Sequence, residues 1–411
     1  MILTQIGGVQ ISDIAAQFPT PTYVYDRAII EERVKALAAF PTIRYAQKAN
    51  SNIAILSLVR QLGVEVDATS AGEIHRAMKA GYKPEQIVYT SDIFDRETLK
   101  TIAALPVGIN AGTMDMIPQI AAVSPGRKLT LRINPGFGHG HSQKTNTGGE
   151  GSKHGIWHEL LPACVELANS SGVKITGIHM HIGSGTDFEH LSQVCASMEK
   201  AAAILGKDLE VISAGGGLPT PYRPGDKPLD VERYASMWIA THQKIEKAIG
   251  KKVRLEVEPG RYLVAESGYL VAEIRAIKEQ GSKRYYVLNA GFNNLARPVM
   301  YGAYHPIAIC PADGRTIEGT EEVAVAGPLC ESGDIFTQAE GGYVETREVP
   351  KAKIGDYLIL CCAGAYGFAM ASNYNSMPLP AEILVSKGKA VTIRERQSLD
   401  DLIRGEHIPA F

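Results

Sequence analysis

A barrel of eight parallel strands with intervening helices, followed by a β-rich domain, is the fold this sequence predicts. Three observations carry that expectation. From about residue 43, short β-branched runs alternate with longer helical patterns. Eight such runs occur before residue 260, the number that closes a (β/α)8 barrel. After about residue 265 the helical period gives way to β-rich segments with hairpin-like spacing, as in YLVAEIRAIKEQGSKRYYVLNAGF and GDYLILCCAGAYG.

The eight runs are Ile43–Lys48, Val64–Thr69, Ile87–Thr90, Val107–Asn110, Leu129–Asn134, Ile175–Ile182, Leu209–Ala214 and Val253–Glu258. Most lead through a turn into an amphipathic stretch such as AGEIHRAMKAGY. Alternation within the runs places Glu65, Asp67 and Thr69 on one face, as it does Thr130, Arg132 and Asn134, and Arg254, Glu256 and Glu258. Helices cover the outside of a barrel, so these polar faces are expected to point inward, with carboxylates and guanidiniums paired beneath the active site. The segment from Gly136 to Gly155 is too rich in glycine and polar groups for a core element and reads as a loop over the barrel mouth. A chain of 411 residues exceeds one ordinary core. The expected division is a barrel over 28–265, a β domain over 266–411, and an N-terminal segment, 1–27, whose TPTYVYD adds to the β domain. The only clear helical pattern after the barrel is QSLDDLIR.

Bulk properties narrow the function classes. With 42 basic and 44 acidic residues and a net charge of −2, no long-range field favours nucleic acid or an anionic membrane, which leaves a small molecule as partner. No apolar run approaches the ~20 residues of a membrane span, and the N-terminus has neither a basic leader nor a signal-peptide core. The reading is a cytoplasmic protein. Its six cysteines are scattered, and the only close pair, Cys361 and Cys362, is adjacent; they are expected to be free thiols.

Polar motifs gather at the C-terminal ends of the predicted strands, the face on which such barrels carry their active sites. Lys48 closes the first run on its inward face with Arg44 and Ala46, HIGSG follows the sixth, GGG (215–217) the seventh, and EPGR (258–261) the eighth. Glycines after the seventh and eighth strands suit a phosphate, since backbone N–H groups approach an anion closely where side chains are absent. A glycine-rich turn alone would look the same. Lys48 reads either as an ion-pair partner or, beside a phosphate site and an acid, as the Schiff-base lysine of a pyridoxal-phosphate (PLP) enzyme, with Glu258 at the pyridinium and His181 on the ring face. His179 and His181 could instead form a core pair or, with His139, His141 or His154, a metal site, but no third ligand has a rigid spacing.

Together the motifs YVYD, YAQKAN, DATSAGE, LRINPGFGHGHSQKTNTGGEGSKHGI, GIHMHIGSG, SAGGGLPTPY, LEVEPGR, RPVMYGAYH, AGPLCESGD and GAYG resemble the fold-type III PLP decarboxylases over nearly the whole chain. Within them the chain resembles the branch acting on meso-2,6-diaminopimelate. The resemblance implies PLP as cofactor and release of CO2 to give L-lysine, the last step of lysine biosynthesis. It implies Lys48 as the PLP lysine, His181 as the stacking residue and Glu258 on the pyridine nitrogen. Ser184, Gly216, Gly217, Gly260 and Tyr366 would surround the phosphate. Arg261, Arg297 and Tyr301, with Tyr366 beside them, would hold the distal carboxylate of a diamino diacid, and Glu331 its distal ammonium. Cys330, reaching across a homodimer interface into a shared active site, would be the proton donor. A bidentate cation next to an acid is what a centre carrying both charges requires.

Three positions depart from the family pattern: Asn289, Asn294 and Cys362 stand where relatives often have aspartate. These leave open a decarboxylase of another diamino acid or of a siderophore or polyamine precursor. A racemase on the same fold would be expected to place an arginine at the ring nitrogen, whereas EPGR brings a carboxylate. A non-catalytic PLP carrier would leave the second domain unexplained.

Overall fold

The computed structural model describes residues 1–138, 147–183, 187–339 and 341–410. They fall into two compact units: Glu31–Thr220 with Lys227–Leu263, and Met1–Ile30 with Pro221–Asp226 and Val264–Phe411.

The first unit is built on strands Thr42–Ala46, Glu65–Ala68, Ile87–Ser91, Gly108–Ala111, Lys128–Asn134, Lys174–His179, Val211–Ser213 and Arg254–Val257. Each pairs in parallel with the next, and the eighth returns to the first through Glu256 opposite Thr42, closing the barrel. The connecting helices start where side chains can cap them: Ser70, Asp95 and Asp230 accept from the backbone N–H of Glu73, Thr98 and Arg233. Gly172 and Gly250 end two of them in the left-handed conformation. The expected strand ends need correcting. The first strand stops at Ala46, and Gln47–Ala49 forms a 3-10 turn, so Lys48 does not share the pleat of Arg44. The Tyr45 hydroxyl, bonded to the Asn50 carbonyl at 2.8 Å, folds the chain back here. Likewise His181 and Glu258 lie just past the ends of their strands.

The lumen is polar, as the alternation predicts. Glu258 is hydrogen-bonded from Asn110, His179 and Ser213, on the fourth, sixth and seventh strands, and only the barrel interior is accessible to all of them. Lower down, the buried Arg44 guanidinium meets both oxygens of Glu256 (2.7 and 3.0 Å) and Glu65 at 2.7 Å. Arg44→Met is expected to lower the unfolding free energy by about 3 kcal/mol, because Glu256 stays buried with only the half-exposed Arg254 beside it. Adding Glu256→Leu should recover most of the loss. Urea unfolding of both variants checks this, and an unchanged midpoint for the single variant would count against it.

The second unit centres on an extended sheet. Thr22–Asp26 pairs antiparallel with Gly268–Gln280 and parallel with Ala381–Ser386. Gly268–Gln280 also forms a hairpin with Lys283–Leu288 and pairs with Tyr357–Leu360. Its apolar faces pack with Ile6, Ile11, Ile14, Val24, Val271, Ile359, Ile383 and Val385 into a core. A Cβ on Gly268 would lie 2.2 Å from the Gly364 Cα, so the backbones can cross here only as glycines. Besides the helix Leu399–Leu402 in the predicted QSLDDLIR segment, a five-residue helix, Arg297–Tyr301, carries Pro298 in its first turn.

Candidate active site

In the barrel unit the C-terminal strand ends assemble one constellation. The Glu258 backbone N–H bonds the Gly215 carbonyl (2.8 Å), and the Ala46 N–H bonds that of Pro259 (3.1 Å), which brings the first, seventh and eighth strand ends together. The Gly216 N–H donates to His181 Nδ1 at 3.1 Å. A Cβ at Gly216 would stand 2.4 Å from the Glu258 carbonyl oxygen, and one at Gly217, where φ is +91°, would stand 2.2 Å from that of Gly183. Only glycines fit this wall. Gly260, packed over Ala46 and Ala49, extends it towards Arg261, the first residue of a one-turn helix. Ser184 lies outside the described residues.

The electrostatics sort the groups by role. Glu258 is buried; burial pushes its pKa up, but the His179 contact, the Ser213 hydrogen bond and the Arg44 guanidinium behind them bring it below the ordinary glutamate range. Asp67 goes the other way: burial first and the Glu258 charge second hold it well above the usual carboxylate range. His181 is driven well below the ordinary histidine range by burial and then by the Arg132 and Lys48 charges. Since its Nδ1 accepts from Gly216, it is a neutral flat ring with its proton on Nε2. Lys48 is exposed at the mouth, close enough for its charge to act on Asp67, Glu73 and His181.

These residues fit PLP. The glycine wall admits a phosphate, the buried carboxylate suits a protonated ring nitrogen, the neutral imidazole offers a stacking face, and an exposed amine stands beside them. Sequence reasoning passed over Asn110 and Ser213 as holders of Glu258 and assigned His179 no part, because each lies at least 45 residues from it. It also missed the clasp at the base of the mouth loop. There Asn134 bonds the backbone of Gly136, Gly149 and His154, and Asp92 takes His154 Nδ1 (2.7 Å) and the Gly155 N–H (3.1 Å). His139 and His141 lie outside the described residues.

In the second unit, Arg297 is buried, with one nitrogen 2.9 Å from His305 Nε2 and its guanidinium 4.8 Å from the Tyr222 ring centre. His305 Nδ1 contacts the Cys361 carbonyl at 3.0 Å and so carries the proton, leaving Nε2 bare for the arginine. Tyr301, at the other end of the short helix, is exposed. Cys330 and Glu331 lie on a turn held by Asp334, which accepts from the N–H groups of Phe292 and Leu329; the cysteine thiol and the Glu331 side chain are exposed. Tyr366 is half-buried at a φ of +57°. The departures have local uses. Asn289 accepts from the Glu273 N–H and donates to Thr20, the second of which an ionised aspartate could not do. Asn294 accepts from the Gly291 N–H, and Cys362 has a φ of +54°.

Residues 27–265 match the family of the pyridoxal-dependent decarboxylase, pyridoxal binding domain. A diaminopimelate decarboxylase of Escherichia coli K12 is 50% identical over 406 residues, 97% of each chain. A crystal structure of a diaminopimelate decarboxylase superimposes with a TM-score of 0.93 at 51% identity, covering 96% of this chain and 95% of that one. The Helicobacter pylori diaminopimelate decarboxylase complexed with L-lysine superimposes with a TM-score of 0.85 at 30% identity, covering 95% and 98%.

Proposed function

The chain belongs to the diaminopimelate decarboxylase family of pyridoxal-dependent decarboxylases, and from that membership we propose how its own residues carry out the reaction. The enzyme is a PLP-dependent carboxy-lyase that converts meso-2,6-diaminopimelate to L-lysine and CO2, the last step of lysine biosynthesis. The observation that carries the reading is the anionic Glu258 on the lumen floor, held by three donors beneath a glycine wall, with the Lys48 amine alongside.

Bound PLP supplies the electron sink that makes loss of CO2 feasible. The Lys48 amine would hold the cofactor covalently, next to where the substrate's D-configured amine enters. Glu258 would keep the ring nitrogen protonated, His181 would cover the ring face, and Gly216, Gly217, Gly260, Ser184 and Tyr366 would receive the phosphate. Arg261, Arg297, Tyr301 and Tyr366 would orient the distal carboxylate and Glu331 the distal ammonium, holding the substrate in one pose. Cys330 of a partner subunit would deliver a proton to the α-carbon. In this scheme residues 28–265 hold the cofactor, while 266–411, joined by 1–27, carry the substrate-reading groups. The working form is a cytoplasmic homodimer; among the described residues no helix is long and apolar enough to cross a membrane.

Following CO2 release and product identity with meso-diaminopimelate, ornithine, arginine and lysine tests the reading. Turnover of one of the last three in preference to the diamino diacid would overturn it. Arg297→Ala is expected to lower kcat/KM for meso-diaminopimelate about tenfold to a hundredfold, the cost of a lost hydrogen bond to a charged group, with PLP content unchanged. Arg297→Lys should restore little, since a point charge cannot replace the planar fork. An unchanged kcat/KM in the alanine variant would remove Arg297 from the distal site.

A further inference from the structure

His179 is the last residue of the sixth barrel strand and 1% exposed. Its Nε2 lies 2.7 Å from Glu258 Oε2. The other carboxylate oxygen takes the Ser213 hydroxyl at 2.7 Å and the Asn110 amide at 3.4 Å. The Ser213 oxygen itself accepts from the Gly215 N–H at 3.1 Å, so its single proton is committed to Glu258. A carboxylate receiving from both of these is an acceptor, so the His179 proton facing it sits on Nε2.

The opposite nitrogen decides the ring's charge. Among the described residues, the buried His179 Nδ1 has no hydrogen-bond partner. An imidazolium would place a charged N–H donor there with nothing to receive it, whereas a neutral ring leaves only a lone pair, the cheaper deficit. The other charged or titratable groups acting on Glu258 are Arg44, which is committed to Glu256 and Glu65, together with Arg132, Asp67, His181 and Tyr234. No ion pair joins either arginine to Glu258 among the described residues. Three uncharged donors therefore fix the carboxylate while its negative charge stays uncompensated by any ion pair.

We propose that His179 is a positioning residue whose neutral, Nε2-protonated imidazole orients Glu258 without neutralising it, reserving that charge for the ring nitrogen of bound PLP. The inference rests on the PLP reading above. An imidazolium in the same place would orient Glu258 equally well and cancel the charge that holds the ring nitrogen's proton.

Nitrogen-15 NMR of the histidine-labelled, PLP-bound enzyme reads the tautomer directly, with the His179 signals assigned by their loss in His179→Gln. Expected at pH 7 are one protonated and one bare ring nitrogen; an imidazolium pattern overturns the proposal. In parallel, His179→Leu should weaken PLP retention about tenfold to a hundredfold, whereas His179→Gln, which keeps a neutral donor, should stay within a few-fold of wild type. A folded leucine variant that retains PLP like wild type also overturns it. If the leucine variant does not fold, the wild-type spectrum still decides. Absence of a visible PLP band in the wild type would instead be a failure of the cofactor reading, and the tautomer can then be read on the cofactor-free protein.

Discussion

Lys48→Ala is expected to abolish the visible absorption band of lysine-bound PLP and to lower turnover on the order of 10⁴-fold or more, the scale of removing a covalent catalytic group. Lys48 stands on the turn Gln47–Ala49, where its amine is exposed at the barrel mouth and its charge acts on Asp67, Glu73 and His181. The turn is secured without the lysine side chain: Tyr45 bonds the Asn50 carbonyl, the Asn52 N–H bonds Asn50 Oδ1, and Ala46 bonds Pro259. The alanine variant therefore folds, with a thermal midpoint close to that of wild type. It should still take up PLP, because the glycine wall, His181 and Glu258 are untouched. Borohydride should fix the cofactor to the wild type and leave the variant unlabelled, and added small amines should restore a fraction of turnover. Borohydride labelling that persists in Lys48→Ala would transfer the role to another amine.

How far the sequence disclosed this site depended on the distance over which each signal acts. Strand alternation is local, so Arg44, Glu65, Asp67, Arg132 and Glu256 were recognisable as lumen residues, and pairing of carboxylates with guanidiniums could be anticipated, but not that Arg44 meets Glu256. Strand ends were less legible, because the turn at Lys48 is set by a hydroxyl reaching the Asn50 carbonyl and no periodicity records it. His179 had no readable partner, since Glu258 lies 79 residues on and meets it only after the barrel closes. The GGG motif was ambiguous for the same reason: what demands glycine is the approach of the Glu258 and Gly183 carbonyls. In the β unit, the helix Arg297–Tyr301 is too short to show a period, and its hold on His305 and Tyr222 is invisible in one dimension. There the resemblance to a known family supplied Arg297, Cys330 and Glu331, which alternation and spacing alone did not.

The second large effect concerns Cys330. Its turn is rigid: Asp334 accepts two backbone N–H groups, and the Cys330 N–H donates to Asn375 at 2.8 Å, yet the thiol is exposed. In the same unit Val299, Met300, Tyr301 and Tyr374 are 39%, 46%, 36% and 41% exposed. A fixed thiol in a unit with uncovered apolar side chains suits an isologous interface, where each chain offers the same patch to the other. If Cys330 serves the partner's barrel, Cys330→Ala retains PLP and binds substrate but loses turnover or returns a proton to the wrong face, while Lys48→Ala fails earlier, at covalent capture of the cofactor. Each variant alone is then nearly inactive. Mixed under conditions that exchange subunits, they rebuild one intact site in every heterodimer, with Lys48 from one chain and Cys330 from the other. Random pairing makes half the dimers mixed, and one site of two works in each, so activity should recover to about one quarter of the wild-type value. A double variant, Lys48→Ala with Cys330→Ala, mixed with wild type is the counterpart. In its heterodimers one site has Lys48 but receives no thiol from the substituted chain, and the other has the thiol but no lysine, so neither works and exchange in an equal mixture lowers activity from about one half to about one quarter of the all-wild-type value. Exchange demonstrated by mass without recovery of activity would mean that Cys330 serves the barrel of its own chain or has no part in proton delivery.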